Sequence, residues 1–271
     1  MKKGKKKLGF ALGAGGSRGV AHIGFLTAME EAGIQPDFIA GCSMGSVVGA
    51  AYASGLSTDA MKKAVYKLRV LDLIAPTAKR GGLFDSSKVR RLLNRYIGDP
   101  DFKDLKIPFH CIAVDMITQS VVEFSEGKVL DGVVASSSIP AIFNPTEKEG
   151  MRLVDGGILE RVPYKRVKDM GADVVVAVDV LGWRDCKKEM PTTLGVILEI
   201  MDLMDNARTK NNREKAKRKK LYDVWIEPEL EDMNQYSCKR MNWAIEKGYE
   251  IGKANAEKIK ELLKSRQQHK G

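Results

Sequence analysis

The 271-residue sequence has few histidines and cysteines and no long apolar run. No stretch approaches the roughly eighteen consecutive apolar residues that a membrane span requires, so any contact with a bilayer must be peripheral. The four cysteines are widely spaced and form no C-x-x-C pair. This spacing suggests neither a disulfide framework nor a metal site, and it favours a reducing, cytoplasmic location. Internal repeats and low-complexity linkers are also absent.

The composition is typical of a soluble globular protein. With 44% hydrophobic and 7% aromatic residues, the chain can bury a sizeable core without disulfides. Strand-like and helical stretches alternate, which predicts a three-layer α/β/α fold with helices on both faces of a central, mostly parallel sheet. We expect a basic arm over residues 1–7, a core over 8–190, and a helical and strand segment over 191–271 that completes the same domain.

Apolar periodicity and turn residues predict the following elements. The predicted strands are Lys7–Leu12, Phe38–Ala40, Phe109–Asp115, Ser120–Phe124, Arg152–Val154, Asp173–Val180 and Asp223–Ile226. The predicted helices are Gly19–Ala32, Met44–Ser54, Thr58–Leu73, Ser87–Tyr96, Leu130–Ser136, Pro163–Met170 and Asn242–Leu263.

A serine flanked by glycines lies between a predicted strand and a predicted helix, in the sequence Gly41-Cys42-Ser43-Met44-Gly45. A strand, a sharp turn and a helix expose a serine hydroxyl, and the helix N-terminus favours developing negative charge. The pattern therefore indicates that Ser43 is the nucleophile of a hydrolase. Such short patterns also arise by chance, so further features must support it. We expect Cys42 to be a small packing residue in this tight turn rather than a reactive thiol.

A glycine-rich loop follows the first predicted strand and leads into a helix, with the sequence Gly13-Ala14-Gly15-Gly16-Ser17-Arg18-Gly19. Glycines let the backbone turn its N–H groups toward an anion. The alternative interpretation is a dinucleotide-binding fingerprint, but the G-x-G-x-x-G spacing is met in neither register. Because a nucleophile turn follows and no nucleotide feature does, the loop is interpreted as an oxyanion-binding site.

An aspartate followed by two glycines, Asp155-Gly156-Gly157, ends a short apolar run. Alone, this sequence is typical of an ordinary turn, but a serine nucleophile needs a base. Of the three histidines, only His269 follows both residues in the Ser-Asp-His order, and it lies near a charged end that is expected to fray. A serine triad is therefore not expected, and Asp155 becomes the candidate base.

Taken in order, these motifs resemble those of the patatin-like phospholipases of the bacterial type, whose catalytic pair is a serine and an aspartate without a histidine. The resemblance covers residues 8–165 and includes the stretch 135–145. It implies that Ser43 is the nucleophile and Asp155 its base. It also implies that N–H groups of Gly15, Gly16 and their neighbours through Gly19 form the oxyanion hole, with Arg18 adding positive charge.

Two positions depart from the family pattern. Ala14 stands where glycine is common, and Glu160-Arg161 stands where polar residues, often asparagine, are expected before Pro163. The resemblance implies an acyl ester hydrolase of the phospholipase or lysophospholipase type, with no metal or organic cofactor. A thioesterase or general carboxylesterase is the alternative among enzymes. A non-catalytic regulator that keeps the fold is the alternative outside them, although the retained Ser43 and Asp155 argue against it.

Positive charge is concentrated in two segments of a chain whose net charge is +10. The first ten residues carry five lysines and no acid, and Lys210–Lys220 carries seven basic residues and one acid. Either Lys2–Lys7 and Lys210–Lys220 attract anionic phospholipid at the inner membrane surface, or they are solvated faces. Nucleic-acid binding is disfavoured because no aromatic residues are interleaved with the basic ones.

Residues 191–220 contain a methionine-rich stripe that leads into the second basic segment. Leu194, Ile197, Met201 and Met204 recur at helical spacing, which predicts one amphipathic helix. Such a stripe usually packs in a core, but beside a hydrolase pocket it can instead line an acyl channel or rest on a membrane. The segment Lys79–Phe84 is expected to be a plain helix connection or a flexible loop at the pocket rim.

Overall fold

The computed structural model describes residues 5–67, 75–76, 82–182 and 192–264. The strands in these ranges are β1 (Leu8–Leu12), β2 (Phe38–Cys42), β3 (Ala75–Pro76), β4 (Gly82–Asp85), β5 (Phe109–Asp115), β6 (Ser120–Phe124), β7 (Ala141–Phe143), β8 (Thr146–Lys148), β9 (Met151–Asp155), β10 (Val174–Val178) and β11 (Val224–Ile226). The helices are α1 (Ala21–Glu31), α2 (Met44–Ala53), α3 (Thr58–Lys67), α4 (Ser87–Ile97), α5 (Val129–Ser136), α6 (Tyr164–Asp169), α7 (Thr193–Arg218) and α8 (Met241–Lys264).

The central sheet has eight strands in the order β11-β10-β1-β2-β5-β9-β8, with β6 paired to β5. Every neighbouring pair from β11 to β5 is parallel, and the pairs that involve β6, β8 and β9 are antiparallel. Strands β1 and β10 are fully buried apolar runs, because parallel strands inside an α/β sheet are covered on both faces. The predicted mostly parallel sheet is confirmed.

Helices cover both faces of this sheet. Side chains alternate along β1, so that Leu8, Phe10 and Leu12 join a large core with residues of α1, α2, α5 and α8. Ala11 points to the opposite face, where it joins a smaller core with residues of α6 such as Val167. The three-layer arrangement predicted from the alternation of strands and helices is therefore confirmed.

The part of the chain that follows β10 adds to the same sheet and to one of its helical layers. Strand β11 extends the sheet beside β10, and α8 lies along α1. The two helices approach closely because glycines face backbone at the contact. A Cβ atom at Gly24 would lie 1.8 Å from the carbonyl oxygen of Ile245, and one at Gly248 would lie 1.9 Å from that of Ala21.

Part of the basic arm is held against the folded chain. Lys6 donates from Nζ to the carbonyl of Leu262 at 2.9 Å, and the Lys7 ammonium lies 5.3 Å from the centre of the Phe38 ring. Residues 1–4 lie outside the described residues, and the expected membrane contact of Lys2 and Lys3 falls there. Lys6 and Lys7 therefore contact the folded chain, which leaves fewer lysines of the arm for contact with a membrane than the sequence suggests.

Short strands are where the structure differs most from the sequence prediction. A connection is predicted over Lys79–Phe84, but Gly82–Asp85 forms β4, which pairs with β7 in a separate three-stranded sheet. Strands β7 and β8 have three residues each and are unpredicted, because pairing with distant segments defines them. Residues 68–73, the predicted end of the helix that begins at Thr58, and residues 79–81 lie outside the described residues.

Candidate active site

The turn at Ser43 joins β2 to α2. Ser43 has φ 52° and ψ −126°, a conformation that residues other than glycine rarely adopt and that is typical of a strained nucleophile turn. Its N–H donates to Ser136 Oγ at 2.9 Å, and its carbonyl accepts a hydrogen bond from Ser46 Oγ at 2.6 Å. These bonds hold the strained backbone, as such positions require.

Glycines on both sides of Ser43 let neighbouring segments meet. A Cβ atom at Gly41 would lie 2.5 Å from the backbone of α2, and one at Gly45 would lie 2.2 Å from the carbonyl oxygen of Leu12. Similarly, a Cβ atom at Gly19 would lie 2.5 Å from the side chain of Met44. The turn is thus packed tightly against the end of β1 and the glycine-rich loop.

Strand β5 brings Asp155 to Ser43. Its residue Ile112 lies opposite Cys42, at the end of β2, and the next residue, Ala113, lies opposite Asp155, at the end of β9. Both residues line the same cavity, and the Asp155 carboxyl is near enough to the Ser43 side chain for the serine to lower its pKa. Two residues that are 112 positions apart in the chain are therefore in contact because one strand pairs with both of their strands.

Burial changes the acidity of Asp155. Loss of solvent raises its pKa to about 6, although the nearby Ser43 side chain and a hydrogen bond from the Gly157 N–H, at 2.8 Å, lower it. The nearby Asp205 carboxylate also raises the pKa. Gly156 fits between strands, because a Cβ atom there would lie 2.6 Å from a carbonyl oxygen of β5. Asp155 is thus mainly ionised at neutral pH and is a stronger base than an exposed aspartate.

Cys42 is a packing residue, as predicted. It is fully buried in a small cluster with Ala14 and Ile112, and its Sγ lies 3.9 Å from Asp155 Oδ1. Burial, reinforced by the charge of Asp155, raises the pKa of the thiol well above its usual value. The thiol is therefore protonated and inert at neutral pH.

Most N–H groups of the glycine-rich loop are engaged by backbone carbonyls. Those of Gly13, Ala14, Ser17 and Arg18 donate to the carbonyls of Val178, Arg161, Gln235 and Gly15, respectively. Across the described ranges, the N–H groups of Gly15 and Gly16 have no such acceptor, and both residues line a cavity that also contains Ser43 and Asp155. Of the five residues predicted for the oxyanion hole, these two are the best placed.

The segment before α8 fixes the conformation of this loop. The carbonyl of Gln235 accepts the Ser17 N–H at 2.9 Å, and Ser17 Oγ donates to the carbonyl of Asn234 at 3.2 Å. Gly16 has φ +51°, and a Cβ atom there would lie 2.3 Å from the Gln235 oxygen. Glycine is therefore needed at position 16 for both conformation and space.

Arg18 is buried and lines neither of the cavities at Ser43. Its guanidinium donates to the carbonyls of Val180 at 2.9 Å, Met233 at 3.2 Å and Leu181 at 3.3 Å. The side chain thus ties the glycine-rich loop to the segments that follow β10 and precede α8. The positive charge that the resemblance places at the oxyanion is directed toward these carbonyls instead.

The histidines of the described chain do not contact Ser43. His22 is fully buried, and its Nε2 lies 2.8 Å from the Gly13 carbonyl oxygen, so it supports the glycine-rich loop from behind. Burial lowers its pKa to about 4, which keeps the ring neutral. His110 pairs with Glu123 at 2.6 Å, away from both cavities. His269 lies outside the described residues.

An apolar cavity of about 260 Å³ opens at Ser43. It extends between α2, α3 and α4, where Val48, Met61 and Leu93 are among its lining residues. Ile142 and Phe143 of β7 also line it, whereas Leu83 and Phe84 of β4 do not. Of the segment predicted as a possible pocket rim, the described residues of β4 contribute through their pairing with β7.

A second cavity of about 150 Å³ also opens at Ser43; apolar side chains line part of it, and we call it the polar cavity because it contains the charged side chains of Asp155, Asp202, Asp205 and Arg208. Asp155, Gly15 and Gly16 line it, together with a set of α7 side chains: Met201, Asp202, Met204, Asp205 and Arg208. Ser43 and Gly16 are shared by the two cavities. Ser43 therefore lies where the apolar cavity and the polar cavity meet.

A buried charge cluster beside the site was missed by sequence reasoning. Arg161 contacts Asp179 and Asp205, each at 2.9 Å, and its side chain is buried. Burial raises the pKa of Asp205 to about 6 in spite of this guanidinium. The one signal in the sequence was the departure at Glu160-Arg161 from the family pattern.

The predicted helix over residues 191–220 is confirmed as α7, but the methionine-rich stripe does not pack in the core. Ile197 and Met204 are exposed, and Leu198 and Ala216 form part of the buried side instead. Met201 and Met204 line the polar cavity. No helix of the described chain combines the length and the hydropathy needed to cross a bilayer.

Comparisons with solved structures support the fold. The chain is similar to VipD from Legionella pneumophila, with a TM-score of 0.50 and 13% identity over 94% of this chain and 67% of that one. It is also similar to the type III effector protein ExoU, with a TM-score of 0.50 and 12% identity over 96% of this chain and 54% of that one.

Sequence comparisons give closer relatives. An uncharacterized NTE family protein of Mycobacterium tuberculosis is 33% identical over 178 residues, which are 65% of this chain and 49% of that protein. The lysophospholipase nte1 of Aspergillus fumigatus is 34% identical over 184 residues, covering 65% of this chain and 12% of that protein. The chain thus spans half or less of these relatives. The family model for patatin-like phospholipase matches residues 10–167. The chain belongs to the patatin-like phospholipase family.

Proposed function

We propose that this protein is a serine hydrolase that cleaves acyl esters of phospholipids or lysophospholipids through Ser43 and Asp155. The proximity of these two side chains, where an apolar and a polar cavity meet, carries the proposal. Family membership and the names of relatives such as the lysophospholipase nte1 of Aspergillus fumigatus agree with it.

The chemistry begins with a proton transfer. Asp155 accepts the proton of the Ser43 hydroxyl as Oγ attacks the acyl carbonyl, and the carbonyl oxygen becomes an oxyanion. The N–H groups of Gly15 and Gly16 donate hydrogen bonds to that oxyanion, beside the N-terminal turn of a helix. When the intermediate collapses, the C–O bond breaks, and Asp155 returns the proton to the departing alcohol.

The second half of the reaction releases the fatty acid. Asp155, ionised again, takes a proton from a water molecule that attacks the acyl-Ser43 ester. The oxyanion is held by the same N–H groups, and its collapse returns the proton to Ser43 Oγ. The net reaction consumes one water and produces one fatty acid and one alcohol, so Asp155 ends in its starting state.

The two cavities fit the two parts of such a lipid. The apolar cavity, lined by side chains such as Val48 and Leu93, suits an acyl chain, because apolar surface leaves water on binding. The polar cavity suits the alcohol part with its head group. The two meet at Ser43, where the scissile carbonyl must lie.

Arg208 is the candidate ligand for a head-group phosphate. The acids that share its cavity are already engaged: Asp202 accepts hydrogen bonds from Gln235 at 2.7 Å and from Tyr236 at 3.1 Å, and Asp205 pairs with Arg161. Arg208 itself is half-buried, and no hydrogen bond or ion pair engages it within the described residues. A guanidinium in this position matches a phosphate diester with two parallel hydrogen bonds.

The proposal is tested by measuring products and by labelling the nucleophile. Purified protein should release fatty acid from lysophosphatidylcholine, and a fluorophosphonate probe should modify Ser43, as mapped by peptide mass spectrometry. Ser43→Ala should lose both the fatty acid release and the labelling. An acyl-CoA thioester serves as the comparison substrate. Faster release from the thioester than from the lysophospholipid would instead support a thioesterase. Absence of labelling in folded protein would reject a serine hydrolase.

A further inference from the structure

Helix α7 exposes a continuous apolar face. Large hydrophobic side chains are exposed at eleven positions of the described chain, and five of these lie on the first half of this one helix. They are Val196, Ile197, Ile200, Leu203 and Met204, which we call the α7 apolar face. Clustering of this kind is unusual for a soluble surface and marks a site of interaction.

The five residues share one side of the helix. At 100° per residue, positions 196, 200 and 203 and positions 197, 200 and 204 form two adjacent rows. The opposite side carries Leu198, Thr209 and Ala216, which are buried against the protein. The α7 apolar face therefore points away from the core, and the folded chain cannot cover it by a small rotation of the helix.

The same side of α7 becomes basic in its second half. Continuing the two rows along the helix leads to Lys210, Lys215 and Arg218, with one acid, Glu214, among them, and all four are exposed. Lys217 is exposed beside them, and Lys219 and Lys220 follow the end of the helix. Arg213 lies elsewhere on the helix, where it pairs with Glu227 at 2.6 Å. An apolar patch continued by cations is the arrangement of a helix that lies in the interface of an anionic bilayer.

The α7 apolar face borders the catalytic cavity. Met204 belongs to the face and also lines the polar cavity. Met201 and Arg208, which lie on the same helix outside the face, line this cavity too. A bilayer in contact with this face would therefore meet the opening that leads to Ser43. The alternative occupants, a second copy or an apolar protein surface, would gain nothing from the basic continuation of the helix.

We propose that the α7 apolar face and the basic residues that continue it form a docking surface for an anionic lipid bilayer, which presents lipid to the polar cavity. The proposal builds on the proposed lipid substrate but concerns binding alone. Apolar side chains enter the acyl boundary, and the lysines and arginine remain at the level of the head groups.

The test compares two pairs of exposed residues with matched burial. Ile200 and Leu203 are 51% and 66% exposed, and neither lines a cavity; Met116 and Ile117, in the turn between β5 and β6, are 52% and 63% exposed. Each pair is changed to glutamine in protein that also carries Ser43→Ala, so that the vesicles stay intact. Co-sedimentation is measured with vesicles of equal parts phosphatidylglycerol and phosphatidylcholine.

We expect Ile200→Gln with Leu203→Gln to weaken vesicle binding about tenfold or more, and Met116→Gln with Ile117→Gln to leave it unchanged. Replacing Lys215, Lys217, Arg218, Lys219 and Lys220 with glutamine should abolish the preference for anionic over zwitterionic vesicles. The proposal is overturned if the α7 pair binds as its parent does, if both pairs lose binding equally, or if the parent does not bind.

Two further measurements separate this proposal from others. Hydrolysis of a soluble short-chain ester, with Ser43 intact, should be the same for the α7 pair and the wild type, so a failure of the catalytic proposal is seen independently. Light scattering should give the same mass for the parent and the α7 pair. Dissociation of an oligomer by the α7 substitutions would show that a second copy covers the face and would reject bilayer docking.

Discussion

Arg161 and Asp205 form an ion pair of 2.9 Å between the loop that follows Asp155 and helix α7. The same guanidinium contacts Asp179, after β10, and the backbone carbonyl of Arg161 accepts the N–H of Ala14 at 2.9 Å. Arg161 thus contacts the glycine-rich loop, the end of the sheet and the wall of the polar cavity. The relative position of these parts depends on it.

Arg161→Met should therefore lower the free energy of unfolding by about 3–5 kcal/mol, because it leaves two buried carboxylates without their cation. Arg152→Met is the matched control, since Arg152 pairs with Glu147 at 3.6 Å with both side chains exposed. The control substitution should lower the free energy of unfolding by less than about 1 kcal/mol. Urea unfolding at neutral pH measures both, and similar losses in the two variants would contradict the assigned role of Arg161.

Gly16→Ala should reduce turnover by about a hundredfold, the usual effect of displacing one oxyanion donor. The added Cβ atom would lie 2.3 Å from the Gln235 oxygen, so the loop must shift. Gly33→Ala is the control, because Gly33 also has positive φ, +69°, but nothing lies within 4 Å of its Cβ position. Steady-state kinetics should show normal turnover for this control. Normal turnover in Gly16→Ala would move the oxyanion site elsewhere, for example to the Met44 N–H.

Asp155→Asn should stabilise the fold at high pH. The pKa of Asp155 rises from 3.8 to about 6 on folding, so the folded state binds the proton more tightly. The wild type therefore loses stability as pH rises through this range, and the asparagine variant does not. The difference in free energy of unfolding between the variant and the wild type should therefore rise by up to about 3 kcal/mol, in favour of the variant, between acidic pH and pH above 7.

Asp115→Asn supplies the control of opposite sign. A hydrogen bond from the Arg152 N–H, with others from residues 117 and 118, lowers the pKa of Asp115 to about 2. Its ionised form stabilises the fold at neutral pH, and that stability is lost as pH falls toward 2. Asp115→Asn should thus be destabilising at pH 7. Unfolding at several pH values measures both variants, and slopes of the same sign would refute the assigned environments.

Arg208→Gln should impair recognition of the phosphate and not the chemistry. We expect KM for lysophosphatidylcholine to rise about tenfold or more, since a charge-assisted hydrogen-bond pair is lost. KM for a monoacylglycerol, which has no phosphate, should not change. Arg91→Gln, on α4 and outside both cavities, is the control. Equal effects on the two substrates would show that Arg208 is not a phosphate ligand.

The sequence predicted the parts of this structure that are determined locally. Buried strands such as β1 and β10 are apolar runs, and the positive φ of Gly16 belongs to a local turn. The contact between Ser43 and Asp155 was expected from the lack of a suitable histidine and from the family resemblance, and not from a local pattern, because it depends on how β5 pairs with two strands. Such pairing is not visible in any single segment.

Other features depend on partners that are distant in the chain. Arg161 meets Asp205 across 44 positions, and no local pattern marks either residue. For α7, periodicity predicted a helix with an apolar stripe but gave no information on what covers the stripe. The interpretation as core was wrong for Ile197 and Met204 because the buried side of the helix is centred on small and polar residues, including Ala216 and Thr209.

The turnover of Asp155→Asn in fatty acid release tests the central claim most directly. We expect a loss of about a thousandfold or more, with Ser43→Ala and the double variant little worse, because residues that act as a unit are not additive. His22→Gln, measured in parallel, should change stability more than turnover, since its ring supports Gly13 and does not reach Ser43. Wild-type turnover in Asp155→Asn, or a collapse of turnover in well-folded His22→Gln, would contradict the account.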